Sequence, residues 1–442
     1  MPSRAPVLPD ELAEFLRIPS VSADPAHAGD VRAAGEWVCR FVRDAGGSAE
    51  LVETDGHPLV VGEIPASRDP ARAPTVLVYG HFDVQPPGDL ALWDSPPFEP
   101  EIRGEWIYCR GIADDKGHLY QLLEAASLLA AEGTLPVSVR VVCDGEEETG
   151  GDSIVDFIGA DERGADACII FDSDMPRYGV PAFNIGTRGI AYFHLRLRTG
   201  ERDLHSGLFG GAALNAVHAL MHTLEAVVAV PDELRVAVTP PTPEELAAWR
   251  ELDPGADVLA REGARPADSR AAEDFYLRTF ATPAVDVNGI RSGEPDLQKT
   301  VLPVEARANV SIRIAPGQDP DEIAATFERL LRAAAPAGVE LDVERWATNA
   351  PGLVPPRAPA IRLAQDAFER VLGRRPLLIR SGGTLPIVPA LGHKGIPTIL
   401  TGFAVPGHNM HSPNERFLVE YLGTGMAAAR ETLLALAGLG RP

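Results

Sequence analysis

The chain has 442 residues, which exceeds the size of one ordinary domain and predicts two or three domains. Hydrophobic residues make up 45% and charged residues 23% of the chain, values typical of globular proteins that argue against extensive disorder. The formal net charge of −23 argues against nucleic acids and membranes as partners, because anionic surfaces select clustered Lys and Arg.

The N-terminal residues and the cysteines bear on localisation. Residues 1–6 lead into a polar stretch, and no window of the sequence reaches eighteen uninterrupted apolar residues. Neither a signal peptide nor a membrane span is therefore expected. The four cysteines form no CxxC pair, which predicts buried thiols rather than disulfides or a zinc ribbon. These features predict a cytoplasmic protein.

Helices and strands alternate in the first part of the chain. Apolar residues at helical spacing predict a helix over 31–43, and a β-branched run predicts a strand over 75–79. A second helix is predicted over 116–132, and further strands over 137–143 and 167–171. This alternation predicts an α/β domain with a mostly parallel sheet and helices on both faces.

A different pattern begins near residue 189 and predicts a smaller α+β domain. Strands are predicted over 190–198, 306–314 and 339–346, and helices over 215–230 and 319–335. Residues 231–296 are rich in proline and charge, and no element is predicted there. A helix over 360–372 and a strand over 396–401 return to the α/β pattern. The chain is therefore predicted to form one α/β domain from 1–189 and 350–442, interrupted by a domain over 190–349.

Acids and histidines follow the predicted strands of the α/β domain. They occur in five clusters: His81 and Asp83, Asp114 and Asp115, Glu146–Glu148, Asp172 and Asp174, and His411. The first four lie about one βα unit apart, so successive strands are expected to bring them to one edge of the sheet. Clustered carboxylates require cations, and mixed imidazole and carboxylate ligands suit zinc, manganese or cobalt better than calcium.

Three stretches of the sequence carry most of these residues. They are Tyr79-Gly80-His81-Phe82-Asp83-Val84-Gln85-Pro86, Arg110-Gly111-Ile112-Ala113-Asp114-Asp115-Lys116-Gly117 and Asp144-Gly145-Glu146-Glu147-Glu148-Thr149-Gly150. They resemble the signatures of the M20 metallopeptidases, and are most similar to the cytosolic nonspecific dipeptidase (carnosinase-like) branch of that family. Further similar motifs are Arg188-Gly189, Asp203-Leu204-His205-Ser206-Gly207, Lys299-Thr300-Val301, Ser311-Ile312-Arg313 and Ser381-Gly382-Gly383-Thr384. The resemblance spans nearly the whole chain.

The resemblance implies a co-catalytic site for two divalent metal ions per subunit, zinc or manganese with cobalt as a further option. It implies that Asp114 bridges both ions, with His81 and Asp172 completing one position and Glu148 and His411 the other. Asp174 is the alternative to Asp172. Asp83 would orient the imidazole of His81, and Glu147 would be the general base that activates a metal-bridging water. The resemblance also implies a cis peptide between Asp114 and Asp115.

The predicted inserted domain supplies the remaining site residues by the same resemblance, which implies that it is a lid and dimerisation domain. His205 would reach the site of the partner subunit in a homodimer and stabilise the oxyanion. Thr300, Arg313 and the Gly382-Gly383-Thr384 backbone would hold the C-terminal carboxylate of the substrate. Arginine suits that role because its planar fork pairs with carboxylates.

The implied activity is metal-dependent hydrolysis of dipeptides, or of short peptides with a free C-terminal carboxylate. An N-acyl-amino-acid amidohydrolase or a carboxypeptidase with the same metals is the alternative. An aspartyl phosphotransferase based on Asp172 leaves the histidines and Glu147 without a role, and a non-catalytic metal-binding protein needs no Glu147. The pair His218 and His222 has helical spacing, but Ala219 replaces the glutamate of an HExxH motif, so surface or core histidines are expected there.

Overall fold

The structure is a computed structural model and describes residues 8–440. The expectation about a signal peptide falls partly on residues 1–7, outside the described residues. The helices are α1 (Asp10–Leu16), α2 (Ala28–Asp44), α3 (Lys116–Ala131), α4 (Ser153–Ala160), α5 (Ser206–Phe209), α6 (Ala216–Val228), α7 (Pro243–Trp249), α8 (Gly255–Arg261), α9 (Pro320–Ala334), α10 (Pro359–Leu372), α11 (Ile387–His393) and α12 (Val419–Leu436).

The strands are β1 (Ser48–Val52), β2 (Leu59–Ile64), β3 (Thr75–His81), β4 (Glu101–Arg103), β5 (Trp106–Tyr108), β6 (Ser138–Asp144), β7 (Ala167–Phe171), β8 (Ala182–Thr187), β9 (Gly189–Arg198), β10 (Leu204–His205), β11 (Ala284–Ser292), β12 (Val301–Leu302), β13 (Glu305–Ile314), β14 (Glu340–Asn349), β15 (Gly352–Leu353), β16 (Leu377–Ser381), β17 (Thr398–Thr401) and β18 (Arg416–Leu418).

The chain divides into two compact units. The first contains the described parts of Met1–Ile185, Val354–Ile379 and Ala390–Pro442, and the second contains Gly186–Leu353 and Arg380–Pro389.

The first unit is built on a six-stranded sheet in the order β1-β2-β6-β3-β7-β17. The pairs β6–β3, β3–β7 and β7–β17 are parallel, whereas β1–β2 and β2–β6 are antiparallel. Every residue of β6 and β7 is buried, as expected for strands covered on both faces. The sheet is therefore mostly parallel with an antiparallel edge, and the predicted fold class is confirmed.

The second unit contains an antiparallel sheet in the order β11-β13-β9-β14. Along β9 buried residues alternate with more exposed ones, which places one face of the sheet against α6 and α9. Phe193 of β9 stacks on Phe327 of α9 with ring centroids 5.0 Å apart, and both rings lie in the core of this unit.

Residues 231–296, for which the sequence predicted no element, contain α7, α8 and β11. A local signal was present at α7: Thr242 and Glu245 form a capping box in which each side chain accepts from the other residue's backbone N–H. Pro243 is the first residue of α7 and Pro254 directly precedes α8, positions at which a missing N–H costs little. Proline content alone was therefore a poor guide to this segment.

Candidate metal centre

Three neighbouring parallel strands bring acids and a histidine to one edge of the six-stranded sheet. β3 ends at His81, Glu147 follows β6, and Asp172 follows β7. Parallel strands share a carboxyl edge, so these side chains converge. Two loops add to this edge: Asp114 lies just before α3, and His411 lies before β18.

Five side chains form two groups that share one aspartate. One group contains His81, Asp114 and Asp172, and the other contains Asp114, Glu148 and His411, with the ligand atoms of each group within 4.8 Å of one another. Asp114 Oδ1 lies 2.9 Å from Nε2 of His81, and its Oδ2 lies 2.7 Å from Nε2 of His411. The structure thus brings together the five residues predicted as ligands, with Asp114 common to both groups.

The donor set of these groups fits two divalent cations. Carboxylates combined with imidazoles are the ligands that zinc, manganese and cobalt accept. The Oε1 atom of Glu148 is buried and has no hydrogen-bond partner among residues 8–440. A buried oxygen without a donor is costly unless a cation or another polar group pairs with it.

The charges of these side chains also favour bound cations. Burial raises the pKa of Glu147 well above its usual value, and burial together with the charge of Asp114 raises the pKa of Asp172 to about 7. Hydrogen bonds to Asp114 and Glu148 raise the pKa of His411 to about 10. Acids that resist ionisation and a histidine that retains its proton both indicate a site that requires positive charge.

Asp83, predicted to orient His81, contacts residues of both groups. Its Oδ1 lies 3.3 Å from Nδ1 of His81, and the same nitrogen lies 3.1 Å from the Asp83 backbone oxygen. Its Oδ2 accepts from the hydroxyl of Ser22 at 2.6 Å and from the backbone N–H of Glu148 at 3.1 Å. Ser22 was missed by the sequence reasoning, because it lies 61 residues from its partner in a segment without a recognised motif.

The alternative ligand Asp174 lies outside both groups, and its Oδ2 is 3.6 Å from Nε2 of His408. The peptide bond between Asp114 and Asp115 is cis, as the sequence resemblance implied. His218 and His222 are exposed on α6, which confirms the expectation of ordinary helix histidines there.

A further histidine, His118 on α3, is fully buried and electrically neutral. Its Nε2 accepts a hydrogen bond from the backbone N–H of Phe403 at 2.8 Å, so that nitrogen carries no proton. Burial lowers the pKa of His118 from 6.5 to about 4. Protonation of His118 would therefore break this hydrogen bond and place a charge in the core.

We expect His118 to make the metal-free protein less stable in acid. The folded-state pKa of His118 lies below its unfolded value. Its contribution to the free energy of unfolding is therefore complete above pH 6.5 and is lost as pH falls towards 4. The loss should reach about 3 kcal/mol. Urea unfolding between pH 4 and 7 measures it: His118→Gln should flatten the profile, whereas the exposed-site control His222→Gln should not. Identical profiles for His118→Gln and the wild type would contradict this expectation.

The second unit brings together most of the residues predicted to bind a carboxylate. Nη1 of Arg313 donates to Oγ1 of Thr384 at 3.0 Å, and the Thr384 hydroxyl donates to the backbone oxygen of Arg188 at 2.7 Å. Arg188 in turn donates to the backbone oxygens of Gly382 and Gly383, each at 3.1 Å. A Cβ at position 382 would lie 2.9 Å from the Thr279 oxygen and 3.2 Å from Nη2 of Arg188, so this close approach requires glycine.

Little negative charge lies near the two arginines of this group, Arg188 and Arg313. Burial and the neighbouring Arg313 lower the pKa of Arg188 to about 10, and burial lowers the pKa of Arg313. Asp286 is the acid that opposes the shift in both cases. A partly buried pair of guanidinium groups favours an anion. Arg188 belongs to the motif Arg188-Gly189, but no role was predicted for it from the sequence.

His205 and Thr300 lie next to each other elsewhere in the second unit. β10 pairs with β12, so His205 lies opposite Val301, and the N–H of Ser206 donates to the backbone oxygen of Thr300 at 2.9 Å. The His205 side chain is exposed, and its Nδ1 accepts from the N–H of Gly207 at 3.0 Å. No contact within the second unit joins Thr300 to Arg313 among the hydrogen bonds of the described residues.

The cysteine thiols agree with a further prediction. All four cysteines are free and buried, which confirms the prediction of buried thiols. Among residues 8–440, no helix combines the length and the apolar character needed to cross a bilayer.

A mostly parallel α/β sheet with histidine and carboxylate groups at its carboxyl edge is typical of metal-dependent hydrolases. Residues 77–435 match the model of peptidase family M20/M25/M40. The chain belongs to this family, and it is a metallopeptidase.

Individual relatives show which activities occur among proteins similar to this chain. The chain is 30% identical to a cysteinylglycine-S-conjugate dipeptidase of Corynebacterium striatum, over 92% of this chain and 90% of the relative. It is 27% identical to human Beta-Ala-His dipeptidase, over 81% and 73% of the two chains. An M20 family metallo-carboxypeptidase from Sulfolobus solfataricus superposes with a TM-score of 0.85 at 26% identity, covering 97% and 100%. Both of these sequence relatives are dipeptidases, in agreement with the predicted class.

Proposed function

We propose that the protein hydrolyses the peptide bond of dipeptides with two divalent ions, zinc or manganese, with cobalt as a substitute. The observation that carries the proposal is the pair of ligand groups that share Asp114. His81 and Asp172 would hold one ion, and Glu148 and His411 the other. When bound, the ions would lower the pKa of a water molecule and stabilise negative charge in the transition state.

The residues of the chain have separate roles in this proposal. Glu147 is the general base that removes a proton from water and returns it to the leaving amine. Burial raises its pKa, which suits a carboxylate that must accept and then release a proton. Asp83 fixes the ring of His81 by contacting Nδ1, which leaves Nε2 for a metal.

Arg313, Thr384, Thr300 and the backbone of Gly382 and Gly383 are proposed to bind the substrate carboxylate. The support is the partial burial of Arg188 and Arg313, which lowers the pKa of both, and the hydrogen bond between Arg313 and Thr384. We also propose a cytoplasmic location, since four free thiols suit a reducing compartment.

A substrate panel tests this function. Metal-stripped protein reloaded with Zn²⁺ or Mn²⁺ is assayed with free dipeptides, their C-terminal amides, N-acetyl amino acids and longer peptides. Free dipeptides should be hydrolysed best, and the amides should lose about 10- to 100-fold in kcat/KM, because a charge-assisted contact of 1.5–3 kcal/mol is lost. N-acetyl amino acids hydrolysed as well as dipeptides would contradict the proposal.

We further propose a homodimer in which His205 acts at the site of the partner subunit. The support is the exposed His205 side chain together with the family resemblance. Mixing inactive His205→Ala with inactive Glu147→Gln, followed by subunit exchange, tests this arrangement. Mixed dimers would contain one complete site, so about a quarter of wild-type activity should return. No recovery in demonstrated mixed dimers would show that His205 does not act across subunits.

A further inference from the structure

Glu415 lies next to the candidate metal centre and has no role in the function described above. We propose that Glu415 is a positioning residue that ties the Asp114 loop to the His411 loop and holds both before metal binds. The inference rests on the metal centre proposed above, and its tests measure metal binding and loop protection rather than turnover.

The Glu415 carboxylate is fully buried and is surrounded by donors from the loop that carries Asp114. Its Oε1 accepts from the backbone N–H groups of Ala113 at 2.8 Å, Gly111 at 3.1 Å and Asp114 at 3.2 Å. Its Oε2 lies 2.5 Å from Nη1 of Arg110. One side chain thus fixes the backbone of the shared ligand itself, and the anionic acceptor strengthens each bond.

Glu415 belongs to the same short loop as His411, and that loop has an unusual backbone. Asn409, His411 and Asn414 all have positive φ, between 57° and 59°, a conformation that costs free energy for residues other than glycine. Such a loop persists only where its surroundings hold it. The Asn414 side chain helps, because it accepts from the N–H of Asp94 at 2.9 Å and donates to the Leu92 oxygen at 3.0 Å.

A simple structural ion pair is the alternative explanation for Glu415. Replacing such a pair changes stability, but it leaves the affinity of a distant site unchanged. The geometry here differs, because three of the four donors belong to residues 111–114. If Glu415 positions the ligands, its replacement should weaken metal binding in protein that remains folded.

The first test compares metal binding by stripped wild-type protein and Glu415→Gln, with Mn²⁺ and Zn²⁺ titrated in a calorimeter. Glutamine keeps the shape, but it loses the negative charge and turns its amide N–H₂ either towards the backbone N–H donors or towards Arg110. We expect the affinity to fall about 10- to 100-fold, as for other residues that orient metal ligands. Two ions bound with wild-type affinity by folded Glu415→Gln would overturn the proposal.

Asp161→Asn is the matched control. Asp161 also pairs with a buried arginine, Arg140, through two bonds of 2.7 Å, and accepts a backbone N–H from Gly164 at 3.0 Å. It contacts none of the candidate ligands in these bonds. The control should lose stability and keep the wild-type metal affinity. An equal loss of affinity in Asp161→Asn would assign the effect to general destabilisation and overturn the positioning role.

A second test needs no variant, so it can be carried out even if Glu415→Gln does not fold. It asks whether the Asp114 loop is ordered before metal binds. Amide hydrogen exchange of metal-free wild-type protein should show protected N–H groups at Ala113 and Asp114, since Glu415 already accepts from them. Exchange at the rate of an open loop without metal, with protection only after Mn²⁺ is added, would show that the metal orders this loop. That outcome would overturn the proposal while leaving the hydrolytic function intact.

Discussion

Replacement of Glu147 by glutamine should lower kcat by about 10²- to 10⁴-fold, the range that a general base contributes. Glutamine has nearly the same shape as glutamate, but it cannot accept the proton of water. Glu147 belongs to neither ligand group, so the variant should still bind two ions. Steady-state kinetics on a free dipeptide and metal analysis of the same sample measure the two effects.

The adjacent Glu146 provides the control for this experiment. Its carboxylate accepts from the backbone N–H of His57 at 2.8 Å and of Ser153 at 3.2 Å, contacts that stabilise local structure. Glu146→Gln should therefore lose stability while kcat stays close to that of the wild type. A Glu147→Gln variant that retains both metals and wild-type kcat would refute the mechanism.

The strand-end acids could be predicted from the sequence because each follows an apolar run that forms a buried strand. β3, β6 and β7 are short and rich in β-branched residues. Their parallel pairing places His81, Glu147 and Asp172 at one edge of the sheet. Periodicity alone therefore indicated the region of the site. The family resemblance separated Asp172 from Asp174 and Glu147 from Glu146, which periodicity does not distinguish.

The residues that support the site could not be derived in this way. Glu415 accepts from the backbone of Asp114 across 301 residues of sequence, and Arg188 binds the Gly382 oxygen across 194. Each pairing depends on the backbone path of two loops that local patterns do not determine. Arg188 lies within a motif shared with the family, which indicated its importance without indicating its partner, whereas Glu415 lies outside the motifs identified in the sequence.

Asp114→Ala should remove both metal ions and lower kcat/KM by about three orders of magnitude or more, since each ion contributes several kcal/mol to the transition state. Asp114 is the residue common to the two groups, whereas loss of His81 or His411 alone should weaken one position more than the other. Calorimetric titration with Mn²⁺ should show no tight binding to Asp114→Ala.

Asp174→Asn separates this loss from a general reduction of negative charge. Asp174 is half-exposed and pairs with His408, and it lies outside both ligand groups, so this variant should retain two ions. Two ions bound by Asp114→Ala would contradict the bridging role. Loss of an ion from Asp174→Asn would instead assign Asp174, rather than Asp172, to the metal. The two variants therefore test the shared ligand and the choice between the two strand-end aspartates independently.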